Sequence, residues 1–339
     1  MRAAVDVMGG DRAPQAILKG CWEAAGLLSG DDAVFLVGDE QVISEGLTES
    51  GLGPDKKHFY KPVITTQVIE MDESPVEAVR NKPNSSIAVM AKMVARGEAD
   101  VAISAGNTGA VMTISRFLLG TLESVDRVAL AAPFPNAKGG VSVLLDVGAN
   151  VDSKPEHLVQ FAVMGEIYYR ATFGHRRPRV GLLSVGEEEI KGNELTREVY
   201  NRLKKSPVHF VGNVEGGDLF SGNVDVIVSD GFVGNIALKI CEGLALQIFE
   251  VLKKSLKSSL VSQVGAMLSQ GAFKGLKKKI DYTEYGGAPL LGVRGVCVIG
   301  HGRSNANAVK NAIRVAANLA RGRMNEKIEQ GLSAAGVHA

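Results

Sequence analysis

Strand, loop and helix follow one another in Gly181-Leu-Leu-Ser-Val-Gly-Glu-Glu-Glu-Ile-Lys-Gly-Asn-Glu-Leu195. The apolar run that ends at Val185 predicts a buried strand, and the apolar spacing from Leu195 to Leu203 predicts a helix. Between them, a lysine, a glycine and an asparagine stand where the helix begins. Such a junction presents a cation and free backbone N–H groups to an anion, as α/β proteins often do. The same residues also suit a solvated turn that caps a helix.

This strand-to-helix pattern recurs along the chain and predicts the fold class. Predicted strands lie at residues 3–7, 34–37, 99–104, 128–132, 141–145, 180–185, 208–211, 224–228 and 295–299. Unbroken apolar strands that alternate with helices indicate a mainly parallel sheet covered on both faces. We therefore expect an α/β fold, a two-lobed α/β/α sandwich with a cleft. No low-complexity linker interrupts the chain, so residues 1–339 are expected to form a single catalytic unit of two intimately joined lobes. At the C-terminal end, residues 331–339 are expected to be frayed.

Composition bounds the class of protein. The chain has 339 residues, of which 45% are apolar and 22% charged, and its net charge is +1. These values are ordinary for a soluble globular enzyme and give no general attraction to nucleic acid. The chain begins with a predicted strand, so no signal peptide is expected, and no uncharged apolar run is long enough to span a bilayer. Cys21, Cys241 and Cys297 lie far apart without a C-x-x-C pair, which indicates a reduced, cytoplasmic protein without a zinc site.

Five predicted strand ends carry small or polar side chains, and glycines break each of these loops. The loops hold Ser104 and Asn107, Asp146 and Asn150, Lys191 and Asn193, Asp230 and Asn235, and His301, Arg303 and Ser304. Because the carboxyl ends of parallel strands share one edge of a sheet, we expect these loops to meet there. Lys191, Arg303 and the helix N-termini then predict an anion pocket, with phosphate as the obvious ligand.

Two glycine loops are predicted to hold the phosphate. One runs from Gly106 through Asn107 and Thr108 to Gly109, and the other from His301 to Ser304. Backbone N–H groups at helix starts suit an anion in both loops, and Arg80 or Lys82 would add a further cation. The other residues predicted to belong to this pocket are Asn150, Asn193 and Asp230.

Motifs of several other enzyme classes are missing. There is no G-x-x-x-x-G-K-[ST] of a P-loop and no G-x-S-x-G nucleophile elbow, and residues 300–305 lack the last glycine of a dinucleotide fingerprint. His301 is the best placed of the six histidines, and it suits a role in the site and a loop hydrogen bond equally well. Asp6, Asp146 and Asp230 could gather a divalent metal, but aspartates at strand ends more often cap helices. Neither a metal nor a cofactor is therefore predicted.

Six motifs, in order along almost the whole chain, resemble those of the bacterial phosphate acyltransferase (PlsX) family. They are Asp6-Val-Met-Gly-Gly-Asp11, Ser104-Ala-Gly-Asn-Thr-Gly109, Asp146-Val-Gly-Ala-Asn150, Gly186-Glu-Glu-Glu-Ile-Lys-Gly-Asn193, Ser229-Asp-Gly-Phe-Val-Gly-Asn235 and Tyr285-Gly-Gly-Ala-Pro-Leu-Leu-Gly292. The resemblance implies a fold similar to phosphotransacetylase and the isocitrate/isopropylmalate dehydrogenases. It also implies a homodimer that makes acyl phosphate from acyl-[acyl carrier protein] and inorganic phosphate, an early step of phospholipid synthesis.

By motif, the family's catalytic lysine and asparagine fall on Lys191 and Asn235. A phosphate oxygen would attack the thioester carbonyl, Lys191 would neutralise the phosphate or the oxyanion, and Asn235 would donate its amide N–H. The family's pathway implies one more partner, the membrane acyl-phosphate:glycerol-3-phosphate acyltransferase. Two other interpretations stay open: a metal- and NAD-dependent decarboxylating dehydrogenase on the same fold, and a non-catalytic membrane-surface scaffold.

A lysine-rich segment, residues 251–280, contains seven lysines and no acidic residue. Its apolar residues recur at helical spacing, which predicts a projecting amphipathic helical hairpin. An anionic membrane or the acidic carrier protein is the expected partner, and the expected contacts are Lys253, Lys257, Leu260, Val264, Lys277 and Lys278. This interpretation places the protein in the cytoplasm, peripherally attached to the inner face of the cell membrane. Alternatively, the leucines of this segment pack on the body of the protein or across the dimer.

Overall fold

The computed structural model describes residues 1–273, 275 and 282–337. Its strands are β1 (Arg2–Asp6), β2 (Ala33–Gly38), β3 (Tyr60–Ile64), β4 (Val101–Ser104), β5 (Ala129–Pro135), β6 (Val141–Leu145), β7 (Val180–Leu183), β8 (Phe210–Val214), β9 (Val226–Val228), β10 (Ala288–Leu291) and β11 (Val296–Ile299). They form one eleven-stranded sheet in the order β3-β2-β1-β4-β11-β10-β5-β6-β9-β7-β8.

Helices follow most of the strands. They are α1 (Gln15–Glu23), α2 (Glu40–Glu49), α3 (Pro54–Lys57), α4 (Pro75–Asn81), α5 (Ser86–Ala95), α6 (Thr108–Leu119), α7 (Pro155–Phe173), α8 (Glu194–Leu203), α9 (Asp218–Ser221), α10 (Gly231–Lys257), α11 (Leu260–Leu268), α12 (Ala306–Arg321) and α13 (Met324–Ala334).

Two apolar cores cover the two faces of the sheet. Successive strand residues point to opposite faces, so Ala3 and Val5 of β1 belong to one core and Ala4 to the other. The first core is closed by α1, α2, α7, α8, α12 and α13. The second is closed by α4, α5, α6 and the beginning of α10. The predicted α/β/α sandwich with a mainly parallel sheet is confirmed.

The strands run in two opposite directions. β1, β2, β3, β4 and β11 are mutually parallel, and so are β6, β7, β8 and β9. Between these groups, β10 is antiparallel to β11 and to β5, and β5 is antiparallel to β6. The carboxyl ends of β1, β4 and β11, and the loops that follow them, therefore lie on one side of the sheet along the strand direction, here called the first edge. The carboxyl ends of β6, β7 and β9, with their loops, lie on the opposite side, here called the second edge. The prediction that all five polar strand ends share one edge is wrong, because the central antiparallel strands reverse the direction of the sheet.

The C-terminal part of the chain is more ordered than the sequence predicts. Residues 331–334 continue α13, and Leu332 is fully buried against the first core. Ile328 is buried in the same way one turn earlier. The prediction of fraying is wrong for these residues because two apolar side chains at helical spacing fix the helix on the body of the protein.

Helix α10 is the longest helix and leaves the body of the protein. It is capped by Asp230 and packs Ala237, Leu238 and Cys241 on the second core. No residue from 243 to 257 is fully buried. Among the described residues, α10 is the one helix whose length and apolar composition would suffice to cross a membrane.

Helix α11 follows α10 after a two-residue turn and contacts it. The boundary predicted at residue 251 falls inside α10, so the first arm of the helical pair begins at Gly231, much closer to the sheet. Lys253, Lys257, Leu260 and Val264 are exposed on these two helices. Lys277 and Lys278 lie outside the described residues.

Candidate active site

Lys191 lies at the second edge, in the loop between β7 and α8. Asn193 caps α8, since its Oδ1 accepts a hydrogen bond from the N–H of Thr196 (2.9 Å). Gly192 between them has a φ of 97°, in the left-handed region that glycine adopts without strain. The Lys191 side chain is exposed and makes no hydrogen bond or ion pair with the described residues. The loop therefore presents an unpaired ammonium group to solvent.

The neighbouring strand β8 supports the Lys191 loop. Asn213 is only 6% exposed, and its Nδ2 donates to the carbonyl of Glu188 (2.9 Å). At the end of β7, the N–H of Ser184 donates to the carbonyl of Val214 (2.9 Å). In the described part of the chain, Asn213 Oδ1 and Ser184 Oγ are buried without a hydrogen-bond partner. Unsatisfied buried polar atoms are rare in folded proteins and concentrate at functional sites.

Asn235 lies at the same edge, near the start of α10. Asp230 fixes the start of this helix, because its Oδ1 accepts from the N–H of Val233 (3.0 Å). The Asn235 side chain is exposed and has no hydrogen-bond partner among the described residues. The Asn235 side chain lies against Gly148: a Cβ atom added to Gly148 would lie 3.4 Å from Cγ of Asn235. Since β7 and β9 are paired neighbours, the loop that carries Lys191 and the start of α10 that carries Asn235 follow adjacent strands at one edge.

Asp146 shapes the loop after β6. Its buried carboxylate accepts hydrogen bonds from four backbone N–H groups, one on β5 and three in its own loop, at 2.7–3.2 Å. Burial raises the pKa of Asp146, although these hydrogen bonds oppose the shift. Asn150 donates both amide hydrogens, to Val128 O (2.7 Å) and to Asp146 Oδ2 (2.9 Å). Both side chains are thus occupied within the protein.

At the first edge, Asp6 organises the loops. It is 1% exposed, and it accepts hydrogen bonds from Ser104 Oγ (2.7 Å) and from the N–H of Met8 (3.0 Å). Ser104 Oγ in turn accepts from the N–H of Gly106 (3.0 Å). Burial raises the pKa of Asp6. Beneath these loops, Asp6, Ser104 and Ser304 help to line a cavity of about 10 Å³, the room that one water needs.

Glycines let the three loops of the first edge touch. A Cβ atom on Gly9 would lie 2.8 Å from the backbone nitrogen of Gly106, so only glycine allows this approach. The loop after β1 also reaches the loop after β11, where the N–H of Asp11 donates to Gly302 O (2.7 Å). The predicted phosphate loops at 106–109 and 301–304 are therefore neighbours.

The side chain of Asn107 makes its hydrogen bonds within the protein. Its Oδ1 accepts from the N–H of Ala110 (3.0 Å) and so caps α6, whose first residues are Thr108 and Gly109. Its Nδ2 donates to the carbonyls of residues 70, 71 and 73 at 2.9–3.3 Å. Lys82 is similarly engaged, with Val68 O (2.7 Å) and with Glu73. The side chain of Arg80 is exposed.

His301, at the first edge, contacts α10, the helix that begins at the second edge. Its Nδ1 accepts from the N–H of Arg303 (3.0 Å), and its Nε2 lies 3.4 Å from Glu242 Oε2. Glu242 stands seven residues beyond Asn235 on α10, about 10 Å along the axis at 1.5 Å per residue. The first part of α10 therefore links Asn235, at the second edge, to the loop of His301 at the first edge. Ser304 is buried beside His301, whereas Arg303 is exposed.

Glu242 and Asn213 are the two residues of this site that the sequence did not indicate. Lys239 and Glu242 stand three residues apart, which predicts a helical ion pair and nothing more. Only the fold reveals that His301, 59 residues further along, is the second partner of Glu242. Asn213 reads as an ordinary polar residue at a strand end.

The residues that the structure describes do not offer a metal site. Within the described ranges, no three His, Cys, Asp or Glu side chains cluster so that they could hold a metal ion. Asp6 lies at the edge opposite to Asp146 and Asp230, and each of the three accepts hydrogen bonds from its own loop or from a neighbouring loop. What the site does offer is exposed Lys191 and Arg303, the amide of Asn235 and glycine-rich helix starts. That set suits an anion and a developing oxyanion.

Comparisons of the sequence identify its relatives. A family model described as fatty acid synthesis protein matches residues 1–327. A phosphate acyltransferase of Pelotomaculum thermopropionicum is 49% identical over 332 residues, which cover 98% of this chain and 95% of that protein. A phosphate acyltransferase of Desulforudis audaxviator is 52% identical over 321 residues, which cover 95% and 93%.

Solved structures agree on the fold. A phosphotransacetylase from Streptococcus pyogenes superposes with a TM-score of 0.62 at 16% identity, covering 94% of each chain. A branched-chain phosphotransacylase from Enterococcus faecalis gives a TM-score of 0.56 at 14% identity, covering 94% of this chain and 99% of that one. The expected similarity to the phosphotransacetylase fold is confirmed.

Proposed function

Since the chain belongs to the phosphate acyltransferase family and is an enzyme of that type, we propose that it moves a long-chain fatty acyl group from acyl-[acyl carrier protein] to inorganic phosphate. The observation that carries this proposal is the pair Lys191 and Asn235. They follow adjacent strands at one edge and have exposed side chains without a partner among the described residues. The side chains of Asn150, Asn193 and Asp230 are instead used within the protein. The acyl phosphate would serve phosphatidic acid and phospholipid synthesis.

The proposed reaction needs no enzyme nucleophile. A phosphate oxygen attacks the thioester carbonyl carbon and forms the new C–O bond. The tetrahedral oxyanion then collapses, the C–S bond breaks, and the carrier's thiolate leaves and takes up a proton. Lys191 neutralises charge on the phosphate or the oxyanion, and the Asn235 amide donates to the oxyanion. Holding two anionic partners together supplies the rest of the rate enhancement.

The proposed phosphate site lies at the first edge, on the loops 106–109 and 301–304. Backbone N–H groups at the starts of α6 and α12 and the exposed guanidinium of Arg303 support this placement. Asn107 would contribute through its backbone, because its side chain is already engaged. The substrates would then lie between the two edges, along the part of α10 that carries Asn235 and Glu242.

One assay separates this function from its alternatives. Purified protein, acyl-[acyl carrier protein] and phosphate should yield acyl phosphate, which hydroxylamine traps as a hydroxamate. Formation should need phosphate and no added nicotinamide or divalent metal, with chelator present as a control. Absence of phosphate-dependent hydroxamate would reject the proposal. Reduction of NAD with isocitrate or isopropylmalate and a divalent metal would then favour a dehydrogenase, and no turnover in either assay would favour a scaffold.

The exposed apolar surface of α10 supports a homodimer. Six side chains repeat at three- or four-residue spacing along one stripe of the helix and are each 43–63% exposed: Phe232, Ile236, Ile240, Leu244, Ile248 and Val251. Water-exposed stripes of this length mark contact surfaces. Sedimentation should give a dimer, and Ile240→Glu should give a monomer. A wild-type monomer at micromolar concentration would contradict the dimer.

We also propose that the outer part of α10 and α11 attaches the enzyme peripherally to the inner face of the cell membrane. Leu260, Val261, Val264, Met267 and Leu268 of α11 are 55–85% exposed. Exposed Lys253 and Lys257 stand close by on the last turns of α10. Apolar and basic side chains on one surface suit an anionic bilayer. The start of α10 is fixed on the sheet, which favours attachment over spanning. Acyl phosphate made there would meet the membrane acyltransferase that consumes it.

A further inference from the structure

We propose that Glu242 is a positioning residue for the phosphate site, because it holds the His301 ring and thereby fixes the loop 301–304 against α10. This inference rests on the proposed function and deepens it. It assigns a role to a carboxylate that lies outside every motif by which the site is recognised in the sequence.

The hydrogen bonds around the ring define its orientation. The backbone N–H of Arg303 can only donate, so Nδ1 of His301 must accept (3.0 Å) and carries no hydrogen. The ring hydrogen of the neutral form therefore resides on Nε2, which donates to Glu242 Oε2 (3.4 Å). The ring is held from both sides, once by its own loop and once by α10. Fixing a histidine through its second nitrogen is the usual way in which a carboxylate selects the tautomer.

Glu242 is itself held in place. Lys239 Nζ donates to the same oxygen, Oε2, at 3.0 Å. The two side chains of this contact are partly covered: that of Glu242 is 25% exposed and that of His301 is 28% exposed. Burial raises the pKa of Glu242, but the hydrogen bonds from His301 and Lys239 outweigh it, and the pKa lies below its ordinary value. Glu242 therefore remains an acceptor over the neutral pH range.

The consequence is mechanical. The loop 301–304 contains the backbone N–H groups and Arg303 that are proposed to hold phosphate, and Asn235 is fixed to the same rigid helix as Glu242. A helix transmits position with little distortion over the two turns between them. Losing the Glu242 contact should release the phosphate loop without moving Asn235, so that phosphate binding weakens more than the chemical step.

The kinetic test compares three variants. Glu242→Ala should raise the KM for phosphate roughly tenfold, the scale of one lost hydrogen bond to a charged group, with a smaller change in kcat and in the KM for the acyl donor. Glu242→Gln keeps an acceptor oxygen and should recover most of that loss. Glu326→Gln is the matched control, since Glu326 also makes an i,i+3 ion pair, with Arg323 (3.1 Å), and both side chains are exposed at the start of α13, away from the site. An unchanged KM for phosphate in Glu242→Ala, or equal rises for both substrates, would overturn the proposal.

A spectroscopic test does not depend on turnover. The ¹⁵N shifts of the His301 ring, assigned by comparison with His301→Gln, should show the Nε2–H tautomer in the wild-type protein and a loss of that preference in Glu242→Ala. An Nδ1–H tautomer in the wild type would reject the inference even if a variant failed to fold. If the wild-type protein forms hydroxamate while Glu242→Ala leaves the KM for phosphate unchanged, the inference fails alone; if the wild-type protein forms no hydroxamate, the proposed function fails.

Discussion

Asn213 on β8 donates from Nδ2 to the carbonyl oxygen of Glu188 at 2.9 Å, and this contact ties the outermost strand to the loop that carries Lys191. We expect Asn213→Ala to lower the free energy of unfolding by about 0.5–1.5 kcal/mol, since one partly buried hydrogen bond is lost while the Glu188 carbonyl keeps the backbone N–H of Lys191 (3.0 Å) as a donor. Turnover should fall as well, because Lys191 is three residues from the released carbonyl. Urea denaturation and the hydroxamate assay measure the two effects. Asn201→Ala, at an exposed position of α8, is the control. Full activity in a destabilised Asn213→Ala protein would show that the contact does not position Lys191.

Lys191 and Asn235 should each be needed for turnover. Replacing either residue with alanine should lower kcat by roughly 10² or more, the usual effect of removing an oxyanion donor. Both side chains are exposed and unpaired within the described structure, so the folded state should be nearly as stable as the wild type. Circular dichroism and thermal unfolding check this point. Lys205→Ala provides a control at another exposed lysine. A folded Lys191→Ala enzyme with near-normal turnover would rule out the assignment.

Replacing Arg303 should change the KM values of the two substrates to different extents. Its exposed guanidinium lies in the loop after β11, where it can pair with phosphate. Arg303→Ala should raise the apparent KM for phosphate more than that for the acyl donor, and Arg303→Lys should recover part of the loss by restoring the charge. Initial rates with each substrate varied in turn provide the measurement. Equal effects on the two KM values would indicate a structural role for Arg303.

Local patterns predict much of this fold. The strand predicted at 141–145 is observed at the same residues, and the helix predicted through Leu195 and Leu203 spans Glu194–Leu203. The strand is a mainly apolar run that is buried on both faces, whereas the helix buries only Val199 and Leu203, four residues apart on one face. The glycine loops are also placed correctly, because turns and helix caps depend on a few adjacent residues.

The direction of the strands could not be predicted in the same way. Whether β6 runs with or against β4 depends on β10 and β5, which pair across more than 150 residues of sequence, as Leu290 does with Leu130. A four-residue strand such as β10 has no periodicity that distinguishes parallel from antiparallel pairing. For the same reason the sequence could not show that Glu242 meets His301. Side-chain partners across a fold follow from topology, and topology follows from long-range pairing.

The ion pair between Arg179 and Asp225 should make the free energy of unfolding depend on pH. Asp225 accepts from the N–H of Arg179 (2.7 Å) and from its guanidinium (2.9 Å). Burial raises the pKa of Asp225, but these hydrogen bonds outweigh it, and the pKa lies below its ordinary value. A carboxyl whose pKa is lower in the folded state stabilises the protein above its unfolded pKa of about 3.9, and this contribution disappears as pH falls through the folded value. Asp225→Asn should therefore cost about 1–3 kcal/mol at pH 7, and this cost should shrink as pH falls below the unfolded pKa of about 3.9.

Denaturation at several pH values tests this dependence. Asp152→Asn is the matched control, because Asp152 is exposed and makes no ion pair among the described residues. Its stability should follow the wild type at every pH. A difference between wild type and Asp225→Asn that stays constant from pH 7 down to pH 3 would assign the effect to packing rather than to charge.

Membrane attachment should depend on α11 and on salt. Leu260 and Val264 are 80% and 55% exposed, and glutamate at both positions would place two charges where the apolar face enters the bilayer. The wild-type protein should float with anionic liposomes and much less with neutral ones, because each nearby lysine contributes about 1 kcal/mol of attraction to an anionic surface. Raising the salt concentration should weaken flotation, since it screens that attraction. Leu260→Glu combined with Val264→Glu should abolish flotation while hydroxamate formation in solution continues.

Phe117→Glu is the control, as Phe117 is 75% exposed on α6, outside the α10–α11 surface. Flotation that survives both the double substitution and high salt would place the membrane contact elsewhere on the protein.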